Sequence, residues 1–466
     1  MEYISTRGSA PVLDFAGATL AGLASDGGLY LPREWPKFTA DEIAAMAGLP
    51  YAELAARVMQ PFVGDSLTTE RLLELTRQAY GRFAHSAVTP LKQLDQQHWL
   101  LELFHGPTLA FKDVALQLLG LLFEEFLARG GDPLTIVGAT SGDTGSAAID
   151  AVAGRARIDI FMIHPKGRVS DVQRRQMTTV LAPNVHNIAA EGTFDDAQAV
   201  VKRMFGDSAM TSRFAIGAVN SINWARLMAQ VVYYFAAALQ LGAPQRKVAF
   251  AVPTGNFGDV FAGYVAAQMG LPIERLIVAT NVNDILHRAL TTGDYSAGEV
   301  TPTAAPSMDI QVSSNFERLL FDLAGRDGAA TAAQMAGFEA TKALQLTNAQ
   351  REGAAKLFSS ARADADQMAQ ALRWAYEQTG ELLDPHTAIG LHAARAADLP
   401  HHIPVVTLAT AHPAKFGDAV ERATGQRPVL PARIGDLFER AERLVDLPAG
   451  YDAVAAYVAQ HATLRG

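Results

Sequence analysis

The chain has 466 residues, 49% hydrophobic and 19% charged, a balance that supports large buried cores and excludes a disordered chain. Its formal net charge of -9 argues against a nucleic-acid binder, so any anion must be captured by local cations or backbone amides. There is no cysteine, hence no disulfide framework, thiolate cluster or cysteine nucleophile. The start MEYISTRGSAP lacks a basic-then-apolar targeting pattern, and no apolar run nears the roughly 18 residues of a membrane span, so a cytoplasmic protein without a membrane partner is expected.

Residues 1–95 read as a separate N-terminal portion, in which DEIAAMAGLPYAELAARVMQPF and TTERLLELTRQAYGRF carry helical spacing. HGPTLAFKD then runs into the apolar segment VALQLLGLLFEEF. A helix there sets Lys112 on one face with Ala115, Leu116, Leu119 and Phe123, while Asp113, Gln117 and Glu124 mark a wet side. Beyond it β-branched runs alternate with helical stretches: LTIVGAT before SAAIDAVAG, IDIFMIHP before SDVQRRQMTT, KVAFAVPTG before DVFAGYVAAQMG, and RLIVATN before DILHRAL. This is the βα order of parallel sheets, and PVVTLATAH adds a buried-type strand near the end. The stretch from Gly325 to about Gln367 is Ala-rich and reads as helical without strands. An α/β chain is expected, with a smaller α/β domain over 96–225 that begins near Lys112 and a larger one over 226–466.

Two glycine-containing loops carry the clearest chemistry. GATSGDTGSAAI sets Ser141, Gly142, Asp143, Thr144 and Gly145 after a strand and at a helix start, where free amides and the helix dipole favour an anion. An ordinary N-cap would use the same residue types. VPTGNFGDVFAG repeats the arrangement with Gly255, Asn256, Phe257 and Gly258, and glycine lets a backbone approach a phosphate closely. Neither loop matches a P-loop or GxGxxG. An isolated lysine on an apolar face usually snorkels to solvent. Beside two anion nests, a phosphate-bearing aldehyde cofactor explains all three features: burial favours the neutral amine, and a Schiff base removes the charge. Pyridoxal phosphate needs such a lysine and such a nest.

HGPTLAFKD, GATSGDTGSAAI, HPKGRVSDVQRRQMTT, SINWARLMAQVVYYF, VPTGNFGDVFAGY and ATAHPAKF, in that order, closely resemble threonine synthases of the bacterial and fungal branch, as do the opening YISTRG and DGGLYLP. The resemblance implies a fold-type II pyridoxal phosphate enzyme, tryptophan synthase β-like, with two parallel-type α/β domains and an additional N-terminal helical portion. It implies a lyase that converts O-phospho-L-homoserine and water into L-threonine and phosphate, the last step of threonine biosynthesis. Lys112 would hold the cofactor and carry protons. Gly255, Asn256, Phe257 and Gly258 would hold its phosphate, with Asp259 as a further contact, and Thr410 would face the pyridine nitrogen. Asp259 occupies a position that is asparagine in some relatives, and its carboxylate would repel the phosphate if aimed at it. Ser141, Gly142, Asp143 and Thr144 would take the α-carboxylate of the substrate.

The phosphate of the substrate needs local cations. HPKGRVSDVQRRQ offers Lys166, Arg168 and Arg174, with Ser170 and Gln173 spaced as a capping box; SINWAR offers Asn223 and Arg226; HPAKF offers Lys415. Arg168, Asn223 and Arg226 are the first choices. His105, His164 and His412 lack metal-ligand spacing, and no metal is expected. The expected partner is a small-molecule substrate, and the chain a monomer or homodimer. Three alternatives stand: a phospho-lyase forming 2-oxobutyrate, a serine or threonine dehydratase, and a non-catalytic phosphometabolite-binding protein.

Overall fold

The apolar runs form strands and the segments between them cover the strands with helices, in a computed structural model that describes residues 1–464. In chain order the strands are β1 (Tyr3–Ser5), β2 (Tyr30–Pro32), β3 (Leu91–Gln93), β4 (His98–Glu102), β5 (Leu134–Ala139), β6 (Ile158–Pro165), β7 (Val185–Glu191), β8 (Ala215–Gly217), β9 (Val248–Pro253), β10 (Ile273–Thr280), β11 (Phe358–Arg362), β12 (Val405–Ala409) and β13 (Val445–Pro448). β1 and β2 make a small antiparallel ribbon. The others build two sheets, ordered β11-β10-β9-β12-β4-β3 and β13-β7-β6-β5-β8. Only the edge pair β3 and β4 is antiparallel within them. Parallel neighbours need crossovers, and the crossover helices bury both faces of the central strands. Every residue of β9 is buried accordingly.

The sheets draw on the chain discontinuously. Boundaries at 95 and 225 separate most strands of the two sheets, yet β4 lies in the six-stranded sheet and β13 on the edge of the five-stranded one. β13 pairs Val445 with Ile188 and Pro448 with Glu191, a pairing no local pattern announces.

Two local expectations need correction. The helix Lys112–Ala128 has no wet side at its start, because Asp113 and Gln117 are both buried. Asp113 accepts from the Thr108 amide at 2.8 Å and the Thr108 hydroxyl at 2.7 Å, and Gln117 donates to Asp150 at 2.7 Å. Polar side chains with built partners can be buried, which periodicity does not report. The segment after Gly325 is not strand-free either: β11 pairs with β10 from Leu276–Phe358 to Thr280–Arg362. Its edge position tolerates the polar Ser359 and Ser360, so FSSAR lacks the apolar run that marks an inner strand.

The N-terminal helices Ala40–Ala44, Tyr51–Val63 and Thr69–Tyr80 begin at Thr39, Pro50 and Thr68. The threonine hydroxyls cap their helices, whereas Pro50 makes no side-chain cap bond. Their buried faces join one core with the helices Lys112–Ala128 and Trp224–Gln240, where the rings of Phe62 and Trp224 stand 5.6 Å apart. The loops after β5, β9 and β12 all leave the carboxyl ends of parallel strands, the place where open α/β sheets bind ligands.

Candidate active site

Lys112 is the first residue of its helix and is buried. Its Nζ lies 3.5 Å from the Ser307 hydroxyl and 3.9 Å from Asp143 Oδ2. Burial pushes the amine down to about 8; Asp143 and Asp259 pull it up, while Lys415 and Arg226 push it further down. An amine at that value has a substantial neutral fraction near neutral pH, as a nucleophile or proton carrier requires.

The loop after β5 approaches it through Asp143. Asp143 Oδ1 accepts from Lys415 Nζ and Gln173 Nε2, each at 2.8 Å. Burial alone would raise this carboxyl, but the Lys415 and Lys112 cations outweigh it and hold the group well below the usual carboxylate range. The helix Asp143–Val152 has no side-chain cap at Gly142. Instead the Thr140 hydroxyl accepts from the amides of Gly142 at 3.0 Å and Gly145 at 2.9 Å. A Cβ on Gly142 would stand 2.4 Å from the Gln173 side chain, which the capping box with Ser170 holds in place. Ser141 and Thr144, half-buried, flank Asp143 on the same loop.

The second nest lies after β9. Phe257 takes a left-handed φ of 64° and leaves the start of the helix Gly258–Gln268 without a side-chain cap, so the Gly258 amide there is open to an anion. A Cβ on Gly255 would lie 2.5 Å from the Ser307 carbonyl, so glycine is needed for this close approach. Asp259 spends Oδ1 on the amide of Val260 at 2.8 Å, and burial pushes its carboxyl up to about 7. Thr410 continues from β12; its carbonyl accepts from the Phe111 amide at 2.8 Å and its own amide donates to Thr387 Oγ1 at 3.1 Å. Thr387 in turn donates to Asp384.

The candidate cations divide sharply. Arg226 is buried, its Nε has no hydrogen-bond partner among the described residues, and burial pushes the guanidinium down to about 10. Asn223 caps the same helix, accepting from the Ala225 amide at 3.0 Å and donating to the Thr19 carbonyl at 2.9 Å. Arg168 is exposed on the turn after β6. Lys166 pairs with Asp446 at 3.0 Å, and Arg174 with Glu442 and Asp171. His105 contacts Glu102 at 2.7 Å, His412 accepts from the Ala414 amide at 3.2 Å, and His164 is buried, pushed down by that burial to about 4. Among the described residues no cluster of three His, Asp or Glu side chains could hold a metal ion.

Family models match nearly the whole chain: threonine synthase N terminus over residues 2–80, pyridoxal-phosphate dependent enzyme over 83–362, and threonine synthase C-terminal over 387–458. Threonine synthase of Pseudomonas aeruginosa is 57% identical over 462 residues, covering 99% of this chain and 98% of that one. The chain belongs to the threonine synthase family. Among solved structures, PLP-bound threonine synthase from Brucella melitensis superposes with a TM-score of 0.97 at 53% identity, covering 99% of each chain. Threonine synthase from yeast superposes at 0.94 with 39% identity, covering 99% of this chain and 98% of that one. The fold-type II architecture expected from the sequence is the architecture present.

A threonine synthase depends on pyridoxal phosphate, and the residues here fit it. Lys112 offers a partly neutral amine, the uncapped helix start after Gly255 offers a phosphate cradle that a Cβ would fill, and Thr410 stands beside the backbone of Phe111 and Lys112. Several residues that shape the site carry no local signal. Ser307 contacts Lys112 through its hydroxyl, and its amide donates to His386 Nε2 at 3.2 Å. That makes Nδ1 the protonated nitrogen of His386, which donates to Asp384 at 2.8 Å. The helix start at Asp384-Pro385 is legible, since Asp caps and Pro suits the first turn, but its neighbours are not.

Proposed function

We propose that this chain converts O-phospho-L-homoserine and water into L-threonine and phosphate, with pyridoxal phosphate held covalently by Lys112. The observation that carries the reading is Arg226: a buried guanidinium whose Nε lacks any partner, set among the charges that act on Lys112. A buried cation without an anion is costly, so an anionic ligand at that point is strongly favoured. Among the alternatives, a dehydratase acting on an unphosphorylated amino acid has no use for it.

Pyridoxal phosphate, when bound, serves as the electron sink for charge developed at the substrate Cα. Lys112 takes the Cα proton and, its amine being brought toward neutrality by burial, also carries the proton lost from Cβ. Gly255, Asn256, Phe257 and Gly258 hold the cofactor phosphate, with the neutral form of Asp259 donating to it rather than repelling it. Thr410 meets the ring nitrogen with a hydroxyl. The amides of Ser141, Gly142, Asp143 and Thr144 receive the α-carboxylate. Arg226 grips the phosphate leaving from Cγ, and Arg168 reaches it from the exposed turn. Asn223 acts by fixing the helix start that presents Arg226. Water must reach Cβ only after phosphate departs, so closure of the cleft between the two sheets belongs to the cycle.

A chain without cysteine is compatible with a reducing cytoplasmic setting, and among the described residues no helix is long and apolar enough to cross a membrane. The deciding experiment incubates the purified protein with phosphohomoserine and assays threonine, 2-oxobutyrate and phosphate together. Threonine and phosphate in equal amounts are expected; 2-oxobutyrate in place of threonine would make the protein a phospho-lyase.

A further inference from the structure

Lys415 has a side chain with 0% exposure, and its ammonium donates to Asp143 Oδ1 and to the Thr108 carbonyl, each at 2.8 Å. Asp143 belongs to the five-stranded side of the molecule, following β5, whereas Lys415 follows β12 of the six-stranded sheet. Two donors occupy Oδ1 of Asp143, Lys415 from one side and Gln173 from the other, so the carboxylate cannot rotate without losing both. Its remaining oxygen, Oδ2, is the one 3.9 Å from Lys112 Nζ. We propose that Lys415 is a positioning residue: it anchors Asp143 so that Oδ2 faces Lys112 without closing onto it, and its own positive charge offsets the pull of Asp143 on the Lys112 amine.

The argument turns on what Lys112 would do without this anchor. An Asp143 carboxylate held by Gln173 alone, with no cation compensating it, would pull more strongly on the buried amine and keep it protonated at working pH. An amine locked as ammonium can neither bond to the cofactor nor accept a proton from the substrate. With Lys415 in place the carboxylate is already compensated, and Lys112 feels a weaker net attraction. The charged groups acting on Lys112 come from four elements: Asp143, Lys415, Arg226 and Asp259. The first two oppose each other within one fixed contact, and that contact crosses between the two sheets. Seating of the two halves of the molecule therefore sets the proton affinity of the reactive lysine. Lys166 and Arg174 pair with surface acids instead and have no such reach.

This inference rests on Lys112 being the cofactor lysine, and the test separates the two. The full chain is freed of cofactor, pyridoxal phosphate is added, and the rate at which the visible band appears is followed from about pH 6 to about pH 10, a range that brackets a depressed and an ordinary lysine. Only the neutral amine reacts, so the midpoint of the rate profile reports Lys112. K415M and K415Q should move the midpoint up by about one unit, K415R should leave it near the wild-type value, and D143N should move it down, since Lys415 keeps the Thr108 carbonyl. Far-UV circular dichroism checks folding, and K415Q is read if K415M does not fold. A neutral variant with an unshifted midpoint, K415R shifting as far as K415M, or a D143N midpoint at or above wild type would each overturn the proposal. A wild-type chain that forms no band, or a band that survives Lys112→Ala, would sink the Lys112 assignment instead.

Discussion

The carbonyl oxygen of Asn256 accepts two hydrogen bonds from Asn315, one from its amide and one from Nδ2, both at 3.0 Å. The same Nδ2 donates to the Ser221 carbonyl at 3.1 Å, just ahead of the helix that carries Arg226. Three residues on, Arg318 is fully buried and donates to the carbonyls of Tyr30 at 2.7 Å and Ile222 at 2.6 Å. One helix start thus clamps the loop of Gly255 to Gly258, the entry to the Arg226 helix and the N-terminal ribbon together. Asn315→Ala should weaken cofactor affinity by about 1–3 kcal/mol, roughly fivefold to more than a hundredfold, because the Asn256 carbonyl loses one of its two donors and the Ser221 carbonyl loses the Nδ2 donor. Titration of the cofactor-free protein with pyridoxal phosphate measures it. Unchanged affinity would mean the loop holds its shape unaided.

Gly255→Val should weaken cofactor binding through another route, since the new Cβ would meet the Ser307 carbonyl at 2.5 Å and displace the segment that touches Lys112. The visible spectrum should therefore change along with the affinity. A variant that binds normally with a native spectrum would put the phosphate elsewhere.

Lys112→Ala should abolish the visible band and nearly all turnover, because the covalent anchor and the proton carrier vanish together. In the wild type, borohydride should fix the cofactor to the peptide containing Lys112. With the amine pushed down to about 8, steps that need it neutral should quicken as pH rises through that value rather than two units higher.

Arg226→Ala should spare cofactor absorbance and lower kcat/KM for phosphohomoserine by roughly tenfold to a hundredfold, the loss of about 1.5–3 kcal/mol typical of a hydrogen bond to a charged group. Lysine at this position should recover only part, since the planar fork is lost. Arg168→Ala, on an exposed turn, should cost less. A slow reaction on L-serine, which has no phosphate, should barely respond to either change. Equal losses on both substrates would make Arg226 a structural residue.

Asp259 gives a stability prediction with a definite sign. Burial pushes its carboxyl in the folded protein up to about 7, above the ordinary aspartate value of 3.8, so the folded protein binds more protons between those values. The stability this group contributes is complete below the lower value and is lost as pH rises through the higher one. In cofactor-free protein, Asp259→Asn should therefore raise the unfolding free energy more at pH 8 than at pH 5, with a ceiling on the order of 4 kcal/mol. Denaturant melts at the two pH values measure it, and an equal effect at both would show that the carboxylate stays ionised when buried.

Much of this protein was legible before any tertiary contact was known. Strand β6 runs over the apolar segment IDIFMIHP, and Ser170 and Gln173 form the capping box their spacing announced, because periodicity and capping are local properties of the chain. Lys112 stood out for the same reason: a lysine on an apolar helical face is a conflict visible in a few residues. What the local pattern could not assign was the partner of each charge. Lys166, Arg174, Arg226 and Lys415 look alike in sequence, yet Lys166 and Arg174 meet surface acids, Lys415 meets Asp143 across the two sheets, and the Nε of Arg226 has no partner among the described residues. Asn315 and Ser307 lie in segments with no motif and still contact the loop after β9 and Lys112. Secondary structure follows from neighbours within a few residues, but desolvation and ion pairing depend on which distant segments the sheets bring together, and here that decision separates a solvated cation from a buried one whose proton affinity is lowered.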